Sequence, residues 1–258
     1  VPKWAMVIDL NRCTGCRTCM VACAMWHGLP PGVFWTTVKW AGSNVPQADM
    51  ATIGDYPSLG SYPIHNICNH CDNAPCVKVC PVNATYKRDD GMVLIDYDKC
   101  IGCRYCMSAC PYGVRVFLWE DPSRTISDAL RRVKSPYPYK QAPDSMAEQN
   151  YIYGYPLDHR DNGRLVYRPV LKLRRGIVTK CNWCVERVDK GLKPVCVEVC
   201  VGRARIFGDL SDPNSDVSRM LAEKGPNAVR RLEHLGTEPR VYYIPKTSKP
   251  RILGEVTS

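Results

Sequence analysis

Sixteen cysteines fall into four groups of four, with none left over. Cys13, Cys16, Cys19 and Cys23 follow the spacing C-x2-C-x2-C-x3-C, and Cys100, Cys103, Cys106 and Cys110 repeat it with Pro111 behind. Cys68, Cys71, Cys76 and Cys80 are spaced C-x2-C-x4-C-x3-C before Pro81, and Cys181, Cys184, Cys196 and Cys200 are spaced C-x2-C-x11-C-x3-C. Thiols this crowded have three uses. Disulfides need Cα atoms roughly 4.4–6.8 Å apart, and four thiols within eleven residues could pair only in strained local rings. Structural zinc takes two separated C-x2-C pairs; the fourth group alone would pass for a zinc ribbon, but the first and third would not. Iron–sulfur ligation fits best, because C-x2-C-x2-C-x3-C-P is the bacterial ferredoxin run. Two-residue gaps let a tight loop present three thiolates to one cubane. The fourth cysteine faces away and ligates the other cluster of a pair.

That exchange requires the groups to pair. The second and third groups are separated by a stretch that reads as a hairpin around Asp89-Asp90-Gly91. They are expected to share two clusters, one on Cys68, Cys71, Cys76 and Cys110, the other on Cys100, Cys103, Cys106 and Cys80. The same rule for the first and fourth groups gives Cys13, Cys16, Cys19 with Cys200, and Cys181, Cys184, Cys196 with Cys23. The elements that must hold these ligands are short. "AMVIDLNRC" and "GMVLIDYDKC" are near-copies of a strand entering a cysteine loop, and "RARIFGDL" is a third strand. In "CVKVC" and "CVEVC" cysteines four apart share a helical face. The expected fold is α+β, with two ferredoxin-like modules related by a pseudo-twofold repeat. Residues 1–23 with 179–211 form the outer module and 68–119 the inner one. Residues 24–67 and 120–178 are insertions that cover cluster edges or dock a partner, and 212–258 is an extended tail. Within that tail, "SRMLAEKGPNAVRRLEHLG" reads as a helix.

The chain has 258 residues and a formal charge of +10, which first suggests nucleic acid. Sixteen thiolates around four cluster cores add about −8 and bring the total to about +2, so nucleic-acid binding is not expected. No run of about 18 apolar residues is present, and "VPKWAMVIDLNRC" has no secretory signature. His27, His65, His70, His159 and His234 show no metal-ligand spacing. His70, between Cys68 and Cys71, is expected to donate to a sulfur or face solvent; Trp183 is expected to pack against its cluster. Arg12, Arg17, Arg104, Lys180 and Arg203 lie near cysteines and would balance cluster charge. There is no P-loop, no G-x-G-x-x-G and no nucleophile elbow, so no catalytic residue is assigned.

"CNHCDNAPCVKVCPVNATYK", "DKCIGCRYCMSACPYGVR" and "KCNWCVERVDKGLKPVCVEVCVGRARIFGDL" resemble the iron–sulfur (beta) subunits of the dimethyl sulfoxide reductase family of molybdopterin oxidoreductases. The resemblance covers roughly residues 5 to 211. It implies four [4Fe–4S] clusters passing electrons to or from a large catalytic subunit that holds a molybdenum or tungsten bis-pterin. It also implies a quinone-reactive membrane anchor or a cytochrome as second partner. Co-export with the catalytic subunit to the periplasm or the outer membrane face is the expected location. Val201 stands where proline often follows the fourth group. A tryptophan replaces one cluster cysteine in nitrate reductase subunits, whereas every position here is cysteine. The wording "CDNAPCVKVCP" is most similar to the arsenate and sulfur-compound reductases. The alternatives are a zinc-stabilised interaction module and a free soluble polyferredoxin.

Overall fold

The computed structural model describes residues 1–40, 63–120 and 173–245, together with the backbone of a short hairpin, β7 (Arg160–Asp161) and β8 (Arg164–Leu165). The middle of both expected insertions and the last residues of the chain lie outside the described residues.

One four-stranded sheet anchors the chain ends. Strand β1 (Trp4–Asp9) pairs antiparallel with β10 (Arg205–Asp209) and parallel with β12 (Val241–Ile244), which carries β11 (Val229–Arg230) on its far side. Alternation along β1 divides its side chains between two cores. Met6 and Ile8 join the main core, while Ala5 and Val7 meet Val217 and Ile244 beneath α6 (Asp216–Lys224). Ser215 caps that helix, accepting the Ser218 N–H at 3.1 Å.

Three antiparallel pairs complete the frame: β2 (Thr36–Trp40) with β3 (Pro63–Ile67), β4 (Thr85–Lys87) with β5 (Val93–Ile95), and β6 (Val116–Phe117) with β9 (Val178–Thr179). The span from β3 to β6 is therefore nested between β2 and β9. Trp35 closes this junction, its buried indole N–H donating to Thr179 Oγ1 at 2.9 Å. The β4–β5 turn is the expected hairpin. Asp90 accepts the Met92 N–H at 3.1 Å, and Gly91 sits at φ 87 where a Cβ would meet Arg240 Nη1 at 2.0 Å.

Each cysteine group is entered from a strand: β1 before Cys13, β3 before Cys68, β5 before Cys100 and β9 before Cys181. Helices follow: α1 (Thr18–His27), α2 (Pro75–Lys78), α3 (Tyr105–Ser108), α4 (Val185–Val188) and α5 (Val195–Glu198). Four of these span only four residues. Asp9 and Asp96 fill matching roles at two loop entrances. Asp9 accepts the Asn11 N–H at 2.9 Å, and Asp96 accepts those of Asp98 at 3.0 Å and Lys99 at 3.2 Å.

Two expectations are corrected. Residues 216–244 are not an extended tail: Val241 and Tyr243 are fully buried and β12 occupies the second edge of β1. The Val-Tyr-Tyr-Ile alternation supplies one inward face, and β1 would otherwise leave its backbone groups unpaired. The helix expected to run to residue 236 ends at Lys224, because Gly225 turns to φ 48 and Pro226 has no N–H to donate. Beyond it the chain forms β11 and two 3-10 turns. Among the described residues no helix is long and apolar enough to cross a membrane.

Candidate metal centres

The four C-x-x-C loops share one backbone feature. Their third positions, Gly15, His70, Gly102 and Trp183, all have positive φ, at 72, 43, 73 and 54. A left-handed residue there turns the chain sharply, so that successive N–H groups can aim at sulfur. Glycine adopts this conformation without strain; histidine and tryptophan do so only when packing holds them. His70 and Trp183 hold each other, stacked with ring centroids 3.9 Å apart. Both are buried, and Phe207 lies edge-on to Trp183 at 5.3 Å. His70 therefore does not face solvent; its Nδ1 accepts the Val93 N–H at 3.0 Å, and its Nε2 has no hydrogen-bond partner among the described residues. At Gly102 a Cβ would lie 2.0 Å from the Gly176 carbonyl oxygen. Retreat of that carbonyl is opposed, because Gly176 donates to Leu118 O at 2.8 Å just beyond the β6–β9 pair. Gly102→Ala is therefore expected to cost about 2–4 kcal/mol, read as a fall in the denaturation midpoint; an unchanged midpoint would contradict the packing described.

Cysteines far apart in sequence meet in common cavities. Cys80 joins Cys100, Cys103 and Cys106 in one; Cys110 joins Cys68, Cys71 and Cys76 in a second; Cys200 joins Cys13, Cys16 and Cys19 in a third. Cys23, Cys181, Cys184 and Cys196 are all buried and act on one another electrostatically. In each set the fourth cysteine comes from the other group of the pair. All sixteen are free thiols, so no disulfide competes for them.

The surroundings of the sulfurs suit thiolate. N–H groups of Gly15, Thr85, Trp183 and Ala204 donate to Cys13, Cys80, Cys181 and Cys200 at 3.4, 3.4, 3.4 and 3.2 Å. The Thr18 hydroxyl donates to Cys16 Sγ at 3.3 Å and holds that thiol below its ordinary pKa. Burial works the other way inside. It pushes Cys19 up to about 11 and Cys71 and Cys181 up to about 12, with neighbouring thiolates adding to the rise. Four buried thiols that repel each other as anions call for a polycationic centre. An all-sulfur donor set selects iron–sulfur clusters or zinc.

Several neighbours of the sulfurs were invisible to spacing. His65 Nε2 lies 3.0 Å from Cys13 Sγ and His27 Nε2 lies 3.4 Å from Cys184 Sγ. Burial holds His27 neutral, pulling its pKa down to about 3. Its Nδ1 is 3.6 Å from Glu186, so the His27–Cys184–Glu186 trio belongs to the fourth quartet. Arg205 and Arg115 are buried guanidiniums among the cysteines.

Of the cations named from sequence, Lys180 is buried and donates to Cys181 O at 2.9 Å and to Val93 O. Arg104 lies 4.9 Å from the ring centroids of both Phe117 and Trp119. Arg17 and Arg104 take the same left-handed position ahead of α1 and α3. Arg12 pairs with Asp9 at 3.4 Å, while Arg203 and His234 are exposed. His159 lies outside the described residues. Trp26 donates to Glu186 at 2.7 Å, and Trp40 packs over the Gly15 turn.

Comparison with known proteins gives the donor sets a context. The 4Fe-4S dicluster domain family matches residues 62–142 and 167–210, and the 4Fe-4S binding domain family matches 4–25. A dimethyl sulfoxide reductase iron–sulfur subunit of Halobacterium salinarum is 41% identical over 94% of this chain and 79% of its own length. A selenate reductase subunit of Mesobacillus selenatarsenatis is 39% identical, over 94% and 72%. The arsenate respiratory reductase iron–sulfur subunit of a Shewanella species is 35% identical, over 94% and 96%.

Proposed function

Because the chain belongs to the iron–sulfur subunits of the dimethyl sulfoxide reductase family of molybdopterin oxidoreductases, we propose that its four cysteine quartets hold four [4Fe–4S] clusters. In this reading it relays electrons between a catalytic chain bearing a molybdenum or tungsten bis-pterin and a second redox partner, a quinone-linked membrane subunit or a cytochrome. A fully cysteine-ligated [4Fe–4S] cluster stores and passes one electron and offers no open position for substrate.

The observation that carries the reading is a gradient of exposure along an ordered row of quartets. Helix α1, carrying Cys19 and Cys23, packs on α5, carrying Cys196, and α2, carrying Cys76, packs on α3, carrying Cys106; Cys181 and Cys68, both buried, are near enough to repel each other as thiolates. The row therefore runs from the Cys13 quartet through the Cys181 and Cys68 quartets to the Cys100 quartet. Cys16 and Cys103, one at each end, are the exposed cysteines, whereas the Cys23–Cys181–Cys184–Cys196 set is wholly buried. The chain thus shields the middle from water and opens both ends to other proteins. The equivalent entries of β1 and β5, and the shared left-handed turns, favour two modules related by a pseudo-twofold repeat.

No residue here touches a terminal oxidant. The relatives include subunits of selenate, arsenate, tetrathionate and polysulfide reductases, so one relay design serves many substrates. An arsenate or sulfur-compound enzyme remains our preferred assignment. Anaerobic purification tests the reading. About sixteen iron per chain with matching acid-labile sulfide, and co-purification with a molybdenum- or tungsten-containing chain, are expected. Zinc without sulfide would instead establish an interaction module, and a stable lone iron–sulfur chain a free polyferredoxin.

A further inference from the structure

Two buried arginines occupy matching places in the two modules. Arg115 follows Cys110 by five residues and Arg205 follows Cys200 by five. Arg115 Nη1 donates to Thr85 Oγ1 at 3.3 Å, and Arg205 Nη2 donates to Thr36 Oγ1 at 2.7 Å. Thr85 opens β4 and Thr36 opens β2, the strand that follows the first cysteine loop of each module. The two arginines are 4% and 2% exposed. Among the described residues neither pairs with a carboxylate, although a buried charge is expected to be paired. Among the described residues Arg115 Nη2 and Arg205 Nε and Nη1 find no nitrogen or oxygen acceptor.

Their surroundings name the counter-charge. Arg115 lines the cavity of Cys68, Cys71, Cys76 and Cys110, while Thr85, which it bonds, lines the cavity of Cys80, Cys100, Cys103 and Cys106. Arg205 also bonds His65 Nδ1 at 2.7 Å, and His65 lines the cavity of Cys13, Cys16, Cys19 and Cys200. Burial alone would lower the pKa of each arginine. Thiolates outweigh it: Cys76 and Cys106 act on Arg115, and Cys196, Cys19 and Cys181 act on Arg205. Each guanidinium thus faces cysteines of both quartets in its own module.

We propose that Arg205 and Arg115 set the reduction potentials of their modules, each fixed positive charge serving the two clusters beside it; this rests on the quartet assignment above. An electron arriving on either side adds one negative charge, and a cation held in a low-dielectric interior stabilises it. One cation shared by two sites raises both potentials together and leaves the difference between them to other groups. Cations on the surface cannot do this, because water screens them.

The test is a potentiometric titration of the full cluster-loaded chain, followed by electron paramagnetic resonance, with iron and sulfide measured on each sample. Arg205→Gln and Arg205→Met remove the charge, the second without leaving an unpaired polar atom; Arg205→Lys keeps the charge. The neutral variants are expected to lower two of the four midpoints by a tenfold or greater change in reduction equilibrium, about 59 mV for one electron. The other two midpoints stay in place. Arg115→Gln and Arg115→Met should lower the complementary two, and both lysine variants should hold the native values. No shift, a uniform shift of all four, or a shift of the same two from both positions overturns the proposal. So does loss of iron from both neutral variants with full retention in the lysine variant, since the arginines would then serve assembly rather than potential. A native chain without four clusters is a separate result, which removes the quartet assignment itself.

Discussion

Stripping iron from the chain under anaerobic, reducing conditions is expected to unfold most of it. The hydrophobic core is built around the ligands: Cys19, Cys23, Cys68, Cys71, Cys76, Cys106, Cys181 and Cys196 are among its buried members. Helices α2 to α5 have four residues each, far below the roughly 12–15 that an isolated helix needs even to be marginal. Helix α5 packs on α1 and β10, and α2 on α3 and β4, so these short helices are held by the ligand-lined core around them and not by their own hydrogen bonds. Metal-binding free energy in such a chain is folding free energy, set against a net stability of about 5–15 kcal/mol for an ordinary domain. Far-UV circular dichroism should lose most of its signal on chelation, and the cooperative melt should disappear. The sheet of β1, β10, β11 and β12 under α6, whose small core of Ala5, Val7, Val217 and Ile244 contains no cysteine, should keep the last protected amides. A native spectrum and a sharp melt after chelation would mean that the quartets decorate a self-sufficient fold.

Cys103→Ser is expected to separate two activities of the assembled complex. Cys103 is exposed, at one end of the row of quartets. Serine offers a hard oxygen where a soft sulfur is needed, so iron content should fall by about a quarter. The remaining three quartets and the packing around Met92 and Leu118 keep their own contacts, and the fold should survive. Turnover with the physiological partner should fall to background. Turnover with an artificial dye that meets the catalytic chain directly should persist. An equal fall in both would mean that the substitution damages the catalytic chain as well, and the relay role assigned to Cys103 would be wrong.

What the sequence made legible was local. The four groups, the β4–β5 hairpin and the strands β1, β5 and β10 all declare themselves within twenty residues or fewer, by spacing or by alternation. The missed features depend on partners far along the chain. His65 lies 52 residues from Cys13, and His27 lies 157 from Cys184; no periodicity links such pairs. Arg115 and Arg205 look like ordinary surface cations in the sequence, because burial of a charge cannot be read from its neighbours along the chain. Arg104 is legible as a cation near a cluster loop, yet not as one stacked on Phe117 and Trp119, because those rings lie beyond the third group. The β12 strand carries a usable signal in its alternation, but the Gly-Pro break before it hides how the chain returns to β1.

The position of β12 has a consequence for synthesis. Residues 68 to 119 carry two complete quartets in one short stretch. In the proposed pairing the Cys13 loop would instead wait for Cys200, 187 residues later, and β1 gains its parallel neighbour only at residues 241–244. At roughly 5–20 residues per second the ribosome leaves the first loop without its fourth thiol for about 10–40 s. In the proposed pairing the middle two quartets would be complete first, and Cys13, Cys16 and Cys19 would wait longest for their fourth ligand.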